Sequence, residues 1–378
     1  MKKIIEATAT PLASIFGSGF LVIVPIMAGA VGSYAVAAMG GVCLLAYAVG
    51  TVIRFNIRHA EPLLESGDAS ERTRLFEHGS DVALVAAYVV SVCLYIEILA
   101  DFLLGGLDHV WSGIHTDLNQ HLVTVTVIAT IGIVGYTKGL AILQKLENVA
   151  LGVTLLIIMV LLVGFASYDV RAVQGSGIQW PTMPGQSWWK ILTIVGGTLI
   201  VVQGFETSRY LGQEFDADTR IRSSRLSQII STVVYLVFLA LATPLMHFLG
   251  DAVEANSLIM LAGKASLLLP IPLVIAAVLS QFSAAVADTM AGGGNMVEVS
   301  KGHIVSRCAY ILICGGAMVL AFAPTMTILA LASRAFAFYY MLQCVVAITI
   351  SKNPRQRVAF VIVGAVLAFI AIFAVPAG

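Results

Sequence analysis

Two apolar stretches in this chain are interrupted by glycine and polar residues where a membrane helix would run on. The first reads Ser14-Ile15-Phe16-Gly17-Ser18-Gly19-Phe20, the second Val202-Gln203-Gly204-Phe205-Glu206-Thr207-Ser208-Arg209. Backbone groups in hydrocarbon have no water to bond, so such a break persists only inside protein or beside a water-filled cavity. Two breaks five spans apart are the pattern of a secondary transporter built from two inverted repeats.

The rest of the composition agrees with a membrane chain. Of 378 residues, 59% are hydrophobic and 11% charged, and the mean hydropathy is +0.94. Soluble domains carry about 25% charged residues. Formal net charge is zero, and no basic tail points to nucleic acid. Cys43, Cys93, Cys308, Cys314 and Cys344 all fall in apolar stretches and read as small buried residues, not as disulfides or metal ligands. The first stretch reads as a span and not as a cleavable signal peptide.

Apolar runs of roughly 18–25 residues cross a bilayer as helices. They are expected at about 11–33, 35–54, 80–105, 121–137, 146–168, 189–212, 227–249, 258–290, 303–322, 325–350 and 357–376. The fold class is an all-α polytopic membrane protein of about eleven helices. One transmembrane domain fills 1–378: repeat one over about 11–168, repeat two over about 189–350, and an extra helix over about 357–376. With the N-terminus inside, the inner segments hold Lys2, Lys3, Arg54, Arg58, Arg72, Arg74, Lys138, Lys145, Arg220, Arg222, Arg225, Lys301, Arg307, Lys352, Arg355 and Arg357. The outer segments hold only Arg171, Lys190 and Lys264. That asymmetry predicts a multi-pass protein of the cell membrane with a cytoplasmic N-terminus and an outer C-terminus. Trp111, Trp180, Trp188 and Trp189 fall on the outer side, as an interfacial belt. The largest soluble segment is expected between Arg54 and Ser80, with short interfacial helices at Glu61–Leu64 and Glu71–Phe76.

Ile15-Phe16-Gly17-Ser18-Gly19-Phe20-Leu21 followed by Pro25 resembles the first-helix signature of amino acid–polyamine–organocation (APC) permeases. Gly204-Phe205-Glu206 resembles their sixth-helix motif. Gln213-Glu214-Phe215, Thr219–Arg222 and the segment from Gly139 to Asn148 resemble flanking parts of the same family. The resemblance implies the leucine-transporter fold and a small substrate such as an amino acid. Three features depart from it. The chain has eleven spans where many members have twelve. Ser280–Asp288 lacks the usual eighth-helix pattern, and Thr154 stands where some proton-coupled members carry lysine.

Gly17, Ser18 and Gly19 would let a substrate carboxylate approach free N–H groups at the start of the outer half-helix; they equally permit close helix packing. Gln203, Gly204, Phe205, Glu206 and Thr207 form the facing wall, with Phe205 as a gate. Glu206 binds a substrate amine, takes a proton, or pairs with Arg209 or the N–H groups of the break. Tyr95, Glu97 and Asp101 lie on the third span; two neighbouring carboxylates suit proton binding. Ser280 and Ser283, with Asp288 beyond, suit a hard cation such as sodium. Gly292-Gly293-Gly294-Asn295 reads as a helix-ending turn or hinge. Arg334 is a carboxylate partner or a substrate ligand.

The leading reading is alternating-access transport of an amino acid or similar small zwitterion, coupled to sodium or protons. No other cofactor is called for. No catalytic residues and no metal site beyond a sodium site are expected, because no nucleophile–base pair or metal-ligand cluster is visible. The alternative is a sensor of the same fold that binds without transporting. The bilayer and the small molecule are the expected partners; oligomeric state is not legible.

Overall fold

The computed structural model describes residues 2–108, 110–175, 177–212, 214–249 and 254–376, with the side chains of residues 2, 18 and 141–148 left aside. No strand occurs among the described residues. The helices are α1 (Lys2–Ser18), α2 (Phe20–Val31), α3 (Ala35–Glu65), α4 (Glu71–Asp108), α5 (Asp117–Lys138), α6 (Ala141–Gln174), α7 (Trp188–Gly196), α8 (Ala217–Ala242), α9 (Ser257–Ala265), α10 (Pro270–Val299), α11 (Ser306–Leu320), α12 (Thr325–Ile350) and α13 (Pro354–Phe373). This is an all-α polytopic membrane protein. Nine stretches among the described residues are long and apolar enough to cross a bilayer. Eleven expected spans become nine because the first two run together as one apolar stretch, Phe20–Glu65, and α11, with 15 residues, falls short of that length.

The centre of the bundle is α4, which packs along α10 and α12; α1 lies against α8, α6 and α10. At 1.5 Å per residue the 38 residues of α4 extend about 57 Å, nearly twice the ~30 Å hydrocarbon core. That length corrects one expectation. Glu61–Leu64 and Glu71–Phe76 are not separate interfacial helices but the ends of α3 and α4, so the loop between them shrinks to 66–70. Glu77 and Ser80, near the polar start of α4, are buried there.

One further correction concerns the eighth expected span, whose internal break separates α9 from α10. The glycine run at 292–294 does not end a helix, because α10 continues to Val299. A Cβ at Gly292 would lie 2.9 Å from Ile313 Cδ1, and one at Gly293 2.5 Å from Tyr310. The small residues let α11 approach α10 closely, as in membrane helix packing generally. Cys308 is exposed on α11, whereas Cys43, Cys93, Cys314 and Cys344 are buried as expected. The four tryptophans are all exposed.

Candidate functional site

Helix one stops at Ser18 and restarts at Phe20, with Gly19 between at φ −147° and ψ −21°. Glycine is required there by crowding: any Cβ would collide with the backbone of Val201. The second break is longer. After α7, residues Leu199–Val202 form a 3₁₀ turn, Gln203 is extended, and Phe205–Leu211 is 3₁₀ again. Gly204 joins the last two at φ +122°, a conformation other residues rarely adopt. A Cβ at Gly204 would lie 2.7 Å from Ile15 N and Ser14 Oγ. Each break therefore presses on the other segment. The Tyr235 hydroxyl lies 2.9 Å from both the Ile15 and Val201 carbonyls and links the two.

Side chains of the second break satisfy much of its own backbone. Glu206 Oε2 accepts from Gly204 N at 2.8 Å and from the Tyr340 hydroxyl at 2.7 Å. The Thr207 hydroxyl donates to Gly204 O at 2.7 Å. Phe205 stacks on Tyr340, centroids 5.4 Å apart. Gln203 Nε2 donates to the Tyr95 hydroxyl at 2.8 Å. Among the described residues, three buried acceptors next to the breaks lack partners: Gln203 Oε1, Glu206 Oε1 and Gln281 Oε1. Buried acceptors without donors are costly, about 1–3 kcal/mol each. Their presence suits a site that receives N–H groups or a cation.

Gln281 carries no signal in the sequence. Its Nε2 donates to the Gly17 carbonyl, in the last turn of α1 where carbonyls have lost their helical donors. Next to it, Ala13, Phe16, Gly17, Thr154, Ser280 and Ser283 line a cavity of about 10 Å³, room for one water-sized occupant. Thr154 Oγ1 is buried without a partner among the described residues. Three hydroxyls around so small a space are oxygen ligands of the kind a hard cation takes.

A family model described as APC superfamily transporter matches residues 1–374. The chain belongs to the APC superfamily of transporters. It is also similar to a protein of Aquifex aeolicus (strain VF5), described as an uncharacterized protein. Identity there is 35% over 367 residues, covering 96% of this chain and 88% of that one.

Not every candidate residue of the APC transporter converges on the breaks. Glu97 is buried, but its Oε2 accepts from Gln120 at 2.8 Å and Thr325 at 3.4 Å. Asp101, one turn on, accepts from Asn256 at 3.0 Å and lies 2.9 Å from His115 Nε2. The two carboxylates thus have separate partners. Asp288 accepts from Ser91 on α4 and does not line the small cavity. Arg334 is exposed and donates to the Ala371 and Ile372 carbonyls at the end of α13, so it is neither a partner for Asp101 nor part of the cluster. Its neighbour Ser333 does belong, donating to Gly197 O at 2.6 Å and accepting from Ile200 N at 3.1 Å. The Ser18 side chain and Gln213 lie outside the described residues.

Arg209 pairs with Glu77 at 2.6 Å and Glu61 at 3.5 Å, not with Glu206. Glu61 also binds Arg220 at 2.7 Å, and Arg220 donates to the Arg209 carbonyl. Gln343 extends the network through Glu77, Ser80 and Asn56. It ties α3, α4, α8, α12 and the end of the second break together. Sequence reading misses it because Glu61 and Glu77 look like loop residues.

Proposed function

We propose that this APC transporter carries an amino acid or similar small zwitterion by alternating access, coupled to a sodium or proton gradient. The break at Gly17, Ser18 and Gly19 brings the substrate carboxylate to the free N–H groups that open α2 at Phe20 and Leu21. Gln203, Glu206 and Gln281 offer acceptors to its ammonium, and Phe205 with Tyr340 closes the wall. The observation that carries this reading is the set of buried, partnerless acceptors beside two breaks that press on each other. Sodium coupling rests on the cavity formed by Ser280, Ser283 and Thr154. Proton coupling rests on Glu206, wholly buried with one oxygen free.

Breaks in spans one and six support two inverted repeats and the leucine-transporter fold. The basic asymmetry supports a cytoplasmic N-terminus and an outer C-terminus. On that orientation the Arg209–Glu77–Glu61–Arg220 network closes the inner side and must part when the site opens inward.

Counterflow in liposomes tests the function. Protein reconstituted with unlabelled amino acids inside should take up the labelled form of its substrate. Saturable binding without exchange would make the chain a sensor. Absence of both across amino acids, amines and organic acids would remove the reading altogether.

A further inference from the structure

Along α6, residues Val160, Val163, Gly164, Ser167 and Arg171 recur at helical spacing on one stripe. They line a groove of about 1130 Å³, whose other wall is the turn from Gly263 to Leu269 between α9 and α10. The groove is mostly apolar, with Ser167 and Ser266 the uncharged polar residues in its lining. Val163 is 64% exposed, Leu267 90% and Leu268 82%, values that suit contact with lipid.

Its rim is cationic. Arg171 is held in place, donating through Nη2 to Ala265 O at 2.8 Å and through Nε to Ser167 O at 3.2 Å. Lys264 sits over the Phe248 ring at 5.2 Å. Neither forms an ion pair among the described residues. Basic residues are scarce on this side of the bundle. Of Arg171, Lys190 and Lys264, two converge on one groove.

The dimensions match a lipid. From Val160 to Arg171 the helix rises about 16 Å, roughly half of a ~30 Å hydrocarbon core. A phosphate held at Arg171 would sit at the interface while an acyl chain follows the stripe to mid-membrane. Phosphate suits the guanidinium geometrically, and two uncompensated cations at a low-dielectric edge favour an anion. We propose that this groove binds one anionic phospholipid, its phosphate between Arg171 and Lys264 and its acyl chain on the α6 stripe, bracing α6 against the α9–α10 turn.

Native mass spectrometry of the full chain, with phosphatidylglycerol or phosphatidylcholine added, tests this. The unmodified protein should retain one phosphatidylglycerol at least tenfold more than phosphatidylcholine. Arg171→Gln with Lys264→Gln should abolish the preference. If that pair does not fold, Lys264→Gln alone, which leaves the tie to Ala265 intact, should reduce it severalfold. Equal retention of the two lipids would overturn the proposal. So would undiminished preference in the folded variant, or a second copy of the chain retained in place of lipid.

Discussion

Tyr340 on α12 donates its hydroxyl to Glu206 Oε2 at 2.7 Å while its ring stacks on Phe205. One side chain thus holds both the carboxylate and the aromatic wall of the second break. It leaves Oε1 of Glu206 as the free oxygen.

Glu206→Gln keeps an acceptor for Gly204 and Tyr340 and removes the charge. Uptake should fall at least tenfold. Profiles from pH 5 to 8 separate the roles. A proton carrier loses pH-driven accumulation but keeps counterflow; an amine ligand weakens binding alike at every pH. Unchanged affinity with an unchanged profile would show that Glu206 does neither. Tyr340→Phe keeps the stack and removes one buried hydrogen bond, which should lower stability by about 1–3 kcal/mol, read from unfolding in detergent.

Ser280→Ala with Ser283→Ala leaves Thr154 as the remaining hydroxyl around the small cavity. The sodium concentration for half-maximal uptake should rise at least tenfold. Sodium-independent uptake by the unmodified protein would assign coupling to protons instead.

Arg209→Ala leaves the largely buried Glu77 without its cation and Glu61 with Arg220 alone. Breaking a buried pair by removing one partner costs about 3–5 kcal/mol. The variant should unfold at markedly lower temperature, and adding Glu77→Gln should recover part of the loss. A thermal midpoint equal to that of the unmodified protein would remove the network's role.

His115, in the loop after α4, has its pKa held above the ordinary value by its hydrogen bond to Asp101, with Glu254 and Asp108 adding to the effect. A raised folded pKa stabilises fully below the unfolded value, about 6.5, and the benefit is lost as pH rises through the folded value. The unmodified protein should exceed His115→Gln in stability most at pH 5, and the gap should close toward pH 9. A gap that widens with pH would contradict the assignment.

Topology can be read by cysteine labelling in a background where exposed Cys308 is replaced. Asp68→Cys should react from the cytoplasm and Pro376→Cys from outside. Labelling of position 376 only from the cytoplasm would invert the proposed C-terminus.

Fold class, approximate spans and the two breaks were legible because they are local. Long apolar runs demand helices, and glycine with polar residues inside them demands an interruption. Gly17–Gly19 and Gly204–Glu206 carry that signal without reference to any other part of the chain. The ends of α3 and α4 were not legible, since polar helix ends projecting past the bilayer look like loop in a hydropathy reading.

Partner choice was decided by tertiary structure alone. Sequence spacing placed Glu97 beside Asp101 and Glu206 beside Arg209. Packing instead turned Glu97 to Gln120, Asp101 to His115, Glu206 to Tyr340 and Arg209 to Glu77. Nothing in the local pattern marked Gln281, Ser333 or Tyr340 as supports of the breaks. The reason is physical. A buried polar group takes whichever partner distant helices bring within about 3 Å, and in a bundle those partners come from segments far apart in the chain.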